Sequence, residues 1–455
     1  MEYLTIEQVL SKSKEAEGKR FGDYDINNRL SMRGNKGGLG QVIEEGLFEY
    51  QVNSNSEADF KDLGIELKVT PLKINKNKTL SAKERLVLNI INYMEEYDKS
   101  FENSSFWQKN EKLLMMFYLW DKDQERKDYT IMKSLLFEFP SADLEIIKQD
   151  WEKIIGKIRD GKAEELSEGD TLYLAACTKG ANRSSLRSQP FSDVKAMQRA
   201  YSLKASYMTA LIRQSFNQEK VISFAKASEL KERTLEQILH ERFKAYLGMT
   251  VSQISESINY KVNPSNKSTI ANMISHMLGI TGTRLEKIEE FEKANIQFKT
   301  IRLEPNGIPR EHMSFENIDF QHWFESDWEE SQLYEKFEPT KFLFIVFQYK
   351  ETKNENPDRE PVFKNVKLWN MPETVINNEL KELWLEVRRI LREGVQLVEK
   401  GSRVLNNLPK ADFNGVAHIR PKAKDGSDKT TLPDGQSITK QCYWLNREYI
   451  AEIIK

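Results

Sequence analysis

The chain has 455 residues, 68 basic and 70 acidic, for a net charge of -2. With 39% hydrophobic and 30% charged residues and no apolar run of the roughly 18 residues a membrane span needs, it reads as a globular protein of two or three domains. Its opening, MEYLTIEQVL, lacks a basic leader followed by an apolar core, which points to the cytoplasm, and two isolated cysteines with five scattered histidines argue against a disulfide framework or a zinc finger.

In chain order, residues 39–50 (LGQVIEEGLFEY) have helical spacing, 64–69 alternate with the period of a strand, and 86–97 have helical spacing again. Residues 112–120 are apolar enough for a buried strand, and 144–158 predict a helix. This mixture predicts a mixed α/β (α+β) layered domain. Residues 172–213 carry Lys179, Arg183, Arg187, Lys195, Arg199, Lys204 and Arg213 against Asp193 alone, a local net of +6 and a candidate phosphate-binding surface. Residues 218–233 (QEKVISFAKASELKER) read as a charged connecting helix, and the acidic, aromatic stretch 319–335 as a solvated loop with a few anchored rings.

The chain is written twice. Thr5-Ile-Glu-Gln-Val-Leu10 recurs as Thr234-Leu-Glu-Gln-Ile-Leu239, and Gly64-Ile-Glu-Leu-Lys68 as Asn295-Ile-Gln-Phe-Lys299, at offsets of 229 and 231. Pro140, Trp151 and Ile158-Arg-Asp-Gly161 return as Pro372, Trp384 and Leu391-Arg-Glu-Gly394, and Tyr201-x-Leu203-x₃-Tyr207 as Tyr443-x-Leu445-x₃-Tyr449. Four blocks in one order predict two tandem domains, 1–217 and 234–455, joined by 218–233.

Chemistry concentrates in the first copy. Glu66 and Lys68 stand at i and i+2 of a strand and so share a face, with Asp59 seven residues upstream of Glu66. Two carboxylates and an ammonium suit a Mg²⁺ centre acting on a phosphodiester, because carboxylate oxygens are the ligands Mg²⁺ prefers. The same residues also suit a structural ion pair, and Glu-Leu-Lys recurs at Glu229–Lys231 and Glu379–Lys381 in helical settings. In the second copy the aligned positions are Glu290, Gln297 and Lys299, and an amide is a poor Mg²⁺ ligand.

At these residues the sequence resembles the MutH family of PD-(D/E)xK nucleases, and in particular its double-length branch, the Sau3A-type restriction endonucleases that cut at GATC. The pattern is carried by Lys36-Gly-Gly-Leu-Gly40, Glu44 and Asp59-x₆-Glu66-x-Lys68, together with KERLVLNIINY (83–93), IIKQDWE (146–152) and CTKGANRSSLRSQPFSD (177–193). The Glu44 to Asp59 spacing is one residue longer than usual, which leaves Glu45 as an alternative to Glu44. The resemblance implies two tandem restriction-endonuclease-like domains forming a pseudo-dimer. It implies that Asp59, Glu66 and Glu44 hold Mg²⁺, that Lys68 assists the attacking water, and that Lys109 stands near the scissile phosphate.

Lys36, Lys179, Arg183, Arg187, Arg199 and Lys204 would contact DNA from the first domain, with the loop 178–186 and a basic helix 198–213 approaching the major groove. Arg420 and Lys422, in Ile419-Arg-Pro-Lys422, would do so from the second. The implied protein is a type II, effector-dependent, Mg²⁺-requiring endonuclease. It would engage double-stranded DNA at two sites, one per domain, as a monomer in solution that can associate on DNA. A partner-directed nicking enzyme and a non-catalytic DNA-binding regulator are the alternatives.

Overall fold

The computed structural model describes residues 3–32, 37–50, 57–180, 185–218, 222–261, 267–280, 285–401 and 403–455, so the expected contacts Lys36 and Arg183 lie outside the described residues. The chain divides into two compact units. The first is Met1–Thr234 with Lys287–Asn295, and the second is Leu235–Glu286 with Ile296–Lys455. Among the described residues no helix is long and apolar enough to cross a membrane.

The first unit is organised by two sheets. Strands β1 (Ile65–Ile74), β2 (Leu80–Ala82), β3 (Leu86–Ile90), β4 (Lys112–Leu119) and β5 (Thr130–Glu138) come first in the chain. One sheet runs β2-β1-β4-β5, with β1 parallel to β4 and both outer strands antiparallel. The sequence of β4, KLLMMFYL, is apolar at consecutive positions because Leu113 to Phe117 are all buried, as in a strand covered on both faces. After the helix Ser141–Arg159, whose stripe of Ile147, Trp151, Ile154 and Ile158 is buried, come β6 (Leu174–Thr178), β7 (Leu186–Gln189), β8 (Ser192–Met197) and β9 (Arg199–Leu203). The second sheet is β3-β9-β6, antiparallel throughout, and β7 with β8 forms a hairpin.

Four expectations are corrected by this fold. The predicted helix over 86–97 is β3 followed by the short helix Tyr93–Glu96, because Leu86 pairs with Leu203, a partner far along the chain. The basic stretch is not one surface. Strand β9 is the middle strand of its sheet, so Arg199 is 1% exposed and donates to Ala176 O at 2.7 Å, while Lys204 is 2% exposed and donates to Thr171 O at 2.7 Å. Both side chains satisfy buried carbonyls and are withdrawn from DNA.

The expected connecting helix is the third. Among the described residues of 218–233 only Ala227–Leu230 is helical, and 222–233 is pinned to the first unit: Gln149 donates to Leu230 O and Arg233 O, and the Glu290 carboxylate accepts from Ser223 Oγ and from the backbone N–H groups of Phe224 and Ala225. The helix Glu289–Lys293 belongs with it. Lys293, 4% exposed, donates to both oxygens of Asp143 at 2.9 and 2.7 Å and pairs with Glu289 at 2.6 Å, while Tyr207 donates to Asp143 at 2.8 Å.

The second unit repeats the same plan. Ile296–Leu303 runs parallel to Lys341–Gln348, which is antiparallel to Val362–Trp369. Gln441–Leu445 is central between Met313–Asn317 and Ala417–Pro421. Trp151 and Trp384, matched in sequence, are buried in the helices Ser141–Arg159 and Lys381–Glu393, and Tyr201 and Tyr443 lie in the two central strands. The stretch expected as a solvated loop is instead built of the short helices Phe320–Glu325, Trp328–Glu330 and Gln332–Phe337, held down by buried Trp323 and Trp328.

The buried Lys293 yields a stability test. Lys293→Met leaves the Asp143 and Glu289 carboxylates without their cation, and should cost the first unit about 3–5 kcal/mol in a urea unfolding titration.

Candidate active site

Strand β1 places Glu66 and Lys68 on one face, while Ile65 and Leu67 are buried on the other. Glu66 is 4% exposed; Lys68 Nζ donates to its Oε1 at 2.8 Å and Lys109 Nζ stands 3.7 Å from the same oxygen. Lys109 arrives on the helix Ser105–Asn110, started by the Ser104 hydroxyl accepting from Trp107 N–H.

Asp59 is folded back onto β1 by a tight turn. Phe60 bridges Ile65, a 3₁₀ turn spans Lys61–Leu63, and Gly64 closes it at φ +64°, a left-handed conformation that glycine adopts without strain. The Asp59 carboxylate then accepts the Leu67 N–H at 2.9 Å, which fixes it one residue from Glu66 and Lys68.

Glu44 comes from a single π turn, Ile43–Leu47, that extends the helix Gly38–Val42. Such turns cluster at functional sites because they re-aim side chains within a helix. Gly46 permits it, since a Cβ there would collide with the Tyr24 carbonyl. The turn separates the two candidate acids. Glu45 is engaged by Arg29 Nε at 3.0 Å and Nη2 at 2.6 Å and by Asn27, whereas Glu44 faces the other carboxylates.

Burial, then the charges of Asp59 and Glu66, push the Glu44 carboxyl up to about 7. Burial and then Glu66 push Asp59 up to about 6, against the Leu67 N–H and the two lysines. Glu66 Oε2 is buried with no hydrogen-bond partner among the described residues. Carboxylates that repel one another around an orphaned oxygen fit a hard cation with oxygen ligands. They do not form a ready-made cage: among the described residues no three His, Cys, Asp or Glu side chains converge on one metal position. Mg²⁺ usually takes one or two carboxylates and completes its shell with water and phosphate, so the fit is to Asp59 and Glu66 with Glu44 close by, rather than to ligation by all three.

A cleft of about 930 Å³ runs from Lys68 past Lys83, Arg85, Arg126 and Lys179, with Glu84 its one acid among the described residues. Lys179 lines this cleft, and Arg187 is exposed on β7. The other three cations were missed, since each sits beside an acid in a short mixed-charge stretch, Lys83 and Arg85 around Glu84 and Arg126 after Glu125.

The second unit shows the same scaffold with the charge inverted. Gln297 and Lys299 occupy the matching strand, and the helix Gln332–Phe337, begun by Ser331, carries Lys336 where Ser105–Asn110 carries Lys109. Lys336 Nζ donates to Gln297 Oε1 at 2.7 Å and pairs with Glu316; Lys299 Nζ donates to Ser314 O at 3.1 Å. Burial and then Lys336 push Lys299 down to about 8. Ile274-Ser275-His276 follows Ile43-Glu44-Glu45 at the 231-residue offset of Lys68 and Lys299, so the Glu44 position is a serine. The expected counterpart of Asp59, Glu290, is instead spent on the Ser223 hydroxyl and the backbone N–H groups of Phe224 and Ala225. Arg420 is exposed beside the Trp444 ring, 5.6 Å from its centroid, and Lys422 Nζ donates to Phe315 O at 2.6 Å.

The family profile described as DNA mismatch repair enzyme MutH matches residues 48–150 and again 283–382. The chain is 36% identical over its whole length to the type II restriction enzyme Sau3AI of Staphylococcus aureus, covering 99% of it. It is 28% identical to the DNA mismatch repair protein MutH of Pasteurella multocida and 26% identical to that of Shewanella woodyi, in each case over 40% of this chain and 82% or 78% of the relative. A full-length match to one enzyme and half-length matches to single-domain proteins are what a duplicated nuclease produces. The chain belongs to the MutH-like, Sau3AI-type family of type II restriction endonucleases, DNA-cleaving hydrolases built here from two tandem MutH-like domains.

Proposed function

We propose that the first unit cleaves double-stranded DNA with Mg²⁺ held by Asp59 and Glu66, near Glu44, and that the second unit binds DNA without cutting it. The observation that carries this division is the contrast between Glu66, flanked by two lysines beside Asp59 and Glu44, and Gln297, which receives the Lys336 ammonium instead. The domains assigned are those read from the repeat, 1–217 and 234–455 with 218–233 between, the segments 218–233 and 287–295 packing with the cutting unit.

Restriction endonucleases generally act with a divalent metal, and an ion at this site would supply charge neutralisation at the phosphodiester and a water of lowered pKa. The chain's own groups do the rest. Lys68 holds Glu66 in place and can donate to the attacking oxygen, while Lys109 can donate to a phosphate oxygen as negative charge builds up there. Lys179 and Arg187, with Lys83, Arg85 and Arg126 along the cleft, hold the phosphate backbone.

In the second unit Arg420 reads a base, its guanidinium steadied over Trp444, and Lys422 supports the same edge. The resemblance supports GATC or a close relative as the site, cut in the cytoplasm by a monomer that can associate on DNA. Occupancy of the second unit raises cleavage by favouring the active arrangement, which requires tighter binding to that arrangement.

Two experiments test this reading. Glu66→Gln should lower plasmid cleavage by more than about 100-fold, beyond what losing a mere outer-shell partner costs, while DNA binding in Ca²⁺ is retained. Retained cleavage, or loss of both activities, would count against it. In wild-type enzyme, linearisation of a two-site plasmid without any partner protein should outpace that of a one-site plasmid. Arg420→Ala should remove the difference and weaken effector-oligonucleotide binding roughly 10- to 100-fold, the range of a bidentate base contact. Equal rates on both plasmids would remove the effector role, and sequencing the ends identifies the site.

A further inference from the structure

Tyr50 stands where the two acid-bearing segments meet. Its backbone N–H donates to Glu44 O at 3.1 Å. Its ring packs edge-on against Phe60, centroids 5.6 Å apart at 79°, and tilted against Phe48 at 6.3 Å. Phe60 directly follows Asp59 and bridges Ile65, so the ring is wedged between the turn that delivers Glu44 and the turn that delivers Asp59.

The phenol itself is unexplained by this packing. Its oxygen is buried and makes no hydrogen bond among the described residues. A buried tyrosine hydroxyl normally finds a partner, and an unsatisfied one in a native structure calls for a reason, such as a catalytic role or a bound water or ion. Burial, then the charges of Asp59, Glu44 and Glu66, hold it well above the ordinary tyrosine range, so the group is an O–H donor at any working pH. Glu66 Oε2, an acceptor, is orphaned in the same group of charges. A donor and an acceptor are both buried, both unpaired, and not bonded to each other. Among the described residues no group binds either of them, and one polar ligand could serve both.

We propose that Tyr50 is a positioning residue of the metal site, its hydroxyl donating to a water in the shell of the divalent ion whose other side is held by Glu66 Oε2 and Asp59. This rests on the assignment of that site to a divalent ion. A donor at this place would orient that water. The Tyr50 hydroxyl is buried, so its contribution would be to metal affinity and water orientation rather than to DNA binding.

Tyr50→Phe in the full chain deletes the hydroxyl and keeps the ring. The expected result is a metal-free thermal midpoint that is unchanged or higher, because an orphaned donor has been removed, together with roughly tenfold weaker binding of Mg²⁺ or Ca²⁺, read as the ion concentration giving half the metal-induced rise in midpoint. The Mg²⁺ concentration for half-maximal cleavage should rise in parallel, with DNA affinity in EDTA unaltered. A lower metal-free midpoint, or an ion affinity within twofold of wild type, overturns the proposal and leaves Tyr50 as packing. Glu66→Gln measured alongside separates the two levels. If it abolishes the metal-induced shift while Tyr50→Phe does not alter it, only the role of Tyr50 falls; if neither variant alters the shift, the metal site itself is misassigned.

Discussion

A carboxylate that is almost fully buried must have cations around it, and Glu66 has two. Much of the first unit's architecture can be traced to that requirement. Lys68 reaches Glu66 because β1 is a strand and alternate residues share a face. Lys109 reaches it because β1 runs parallel to β4, in a register that sets Glu66 opposite Leu113 just after the helix carrying the lysine. One backbone amide, that of Leu67, then fixes Asp59 against the same strand. The acids added to this arrangement, Asp59 and Glu44, have their ionisation opposed by burial and by the Glu66 charge, which is the electrostatic signature of a site suited to a cation.

The second unit shows what the scaffold does when the buried acid is absent. The parallel strand pair, the antiparallel partner and the serine-capped helix are all retained, because they are held by apolar strands and buried rings rather than by the site. With Gln297 in place of Glu66, the lysine on that helix finds a neutral amide and a surface acid, Glu316, and Lys299 is left half-buried near Lys336 and Lys422 with a backbone carbonyl as its acceptor. Positive potential without a carboxylate cluster suits a phosphate better than a metal. The same fold thus carries opposite electrostatics, and the difference begins with one residue on one strand.

Restriction chemistry and stability meet at Glu44. Its π turn, its separation from Glu45 and the close packing of Gly46 on Tyr24 make a local geometry with little slack. Tyr50 closes the same turn through its backbone and leaves its hydroxyl unsatisfied inside. Polar groups left unpaired and like charges held together are destabilising in isolation, and functional sites are where such costs persist.

The duplication, the period-two alternation around Glu66 and the apolar run of β4 were legible in the amino-acid sequence, because each depends on residues adjacent or nearly so in the chain. So was the inequality of the two copies, since Glu66 and Gln297 differ in charge wherever they sit. Burial and pairing were not. Arg199 and Lys204 look like a basic surface in the sequence and are interior, because only β3 and β6, brought in from elsewhere in the chain, make β9 a central strand. Residues 86–90 have helical spacing and are a strand, because pairing with β9 outweighs local periodicity. Glu44 and Glu45 are indistinguishable by type and neighbourhood, and Arg29 on one side with Asp59 on the other divides them. What the sequence determined was the pattern that adjacent residues impose on a strand and its repetition; what tertiary structure decided was which charges are buried and with whom, because a side chain's dielectric and partners are set by distant segments.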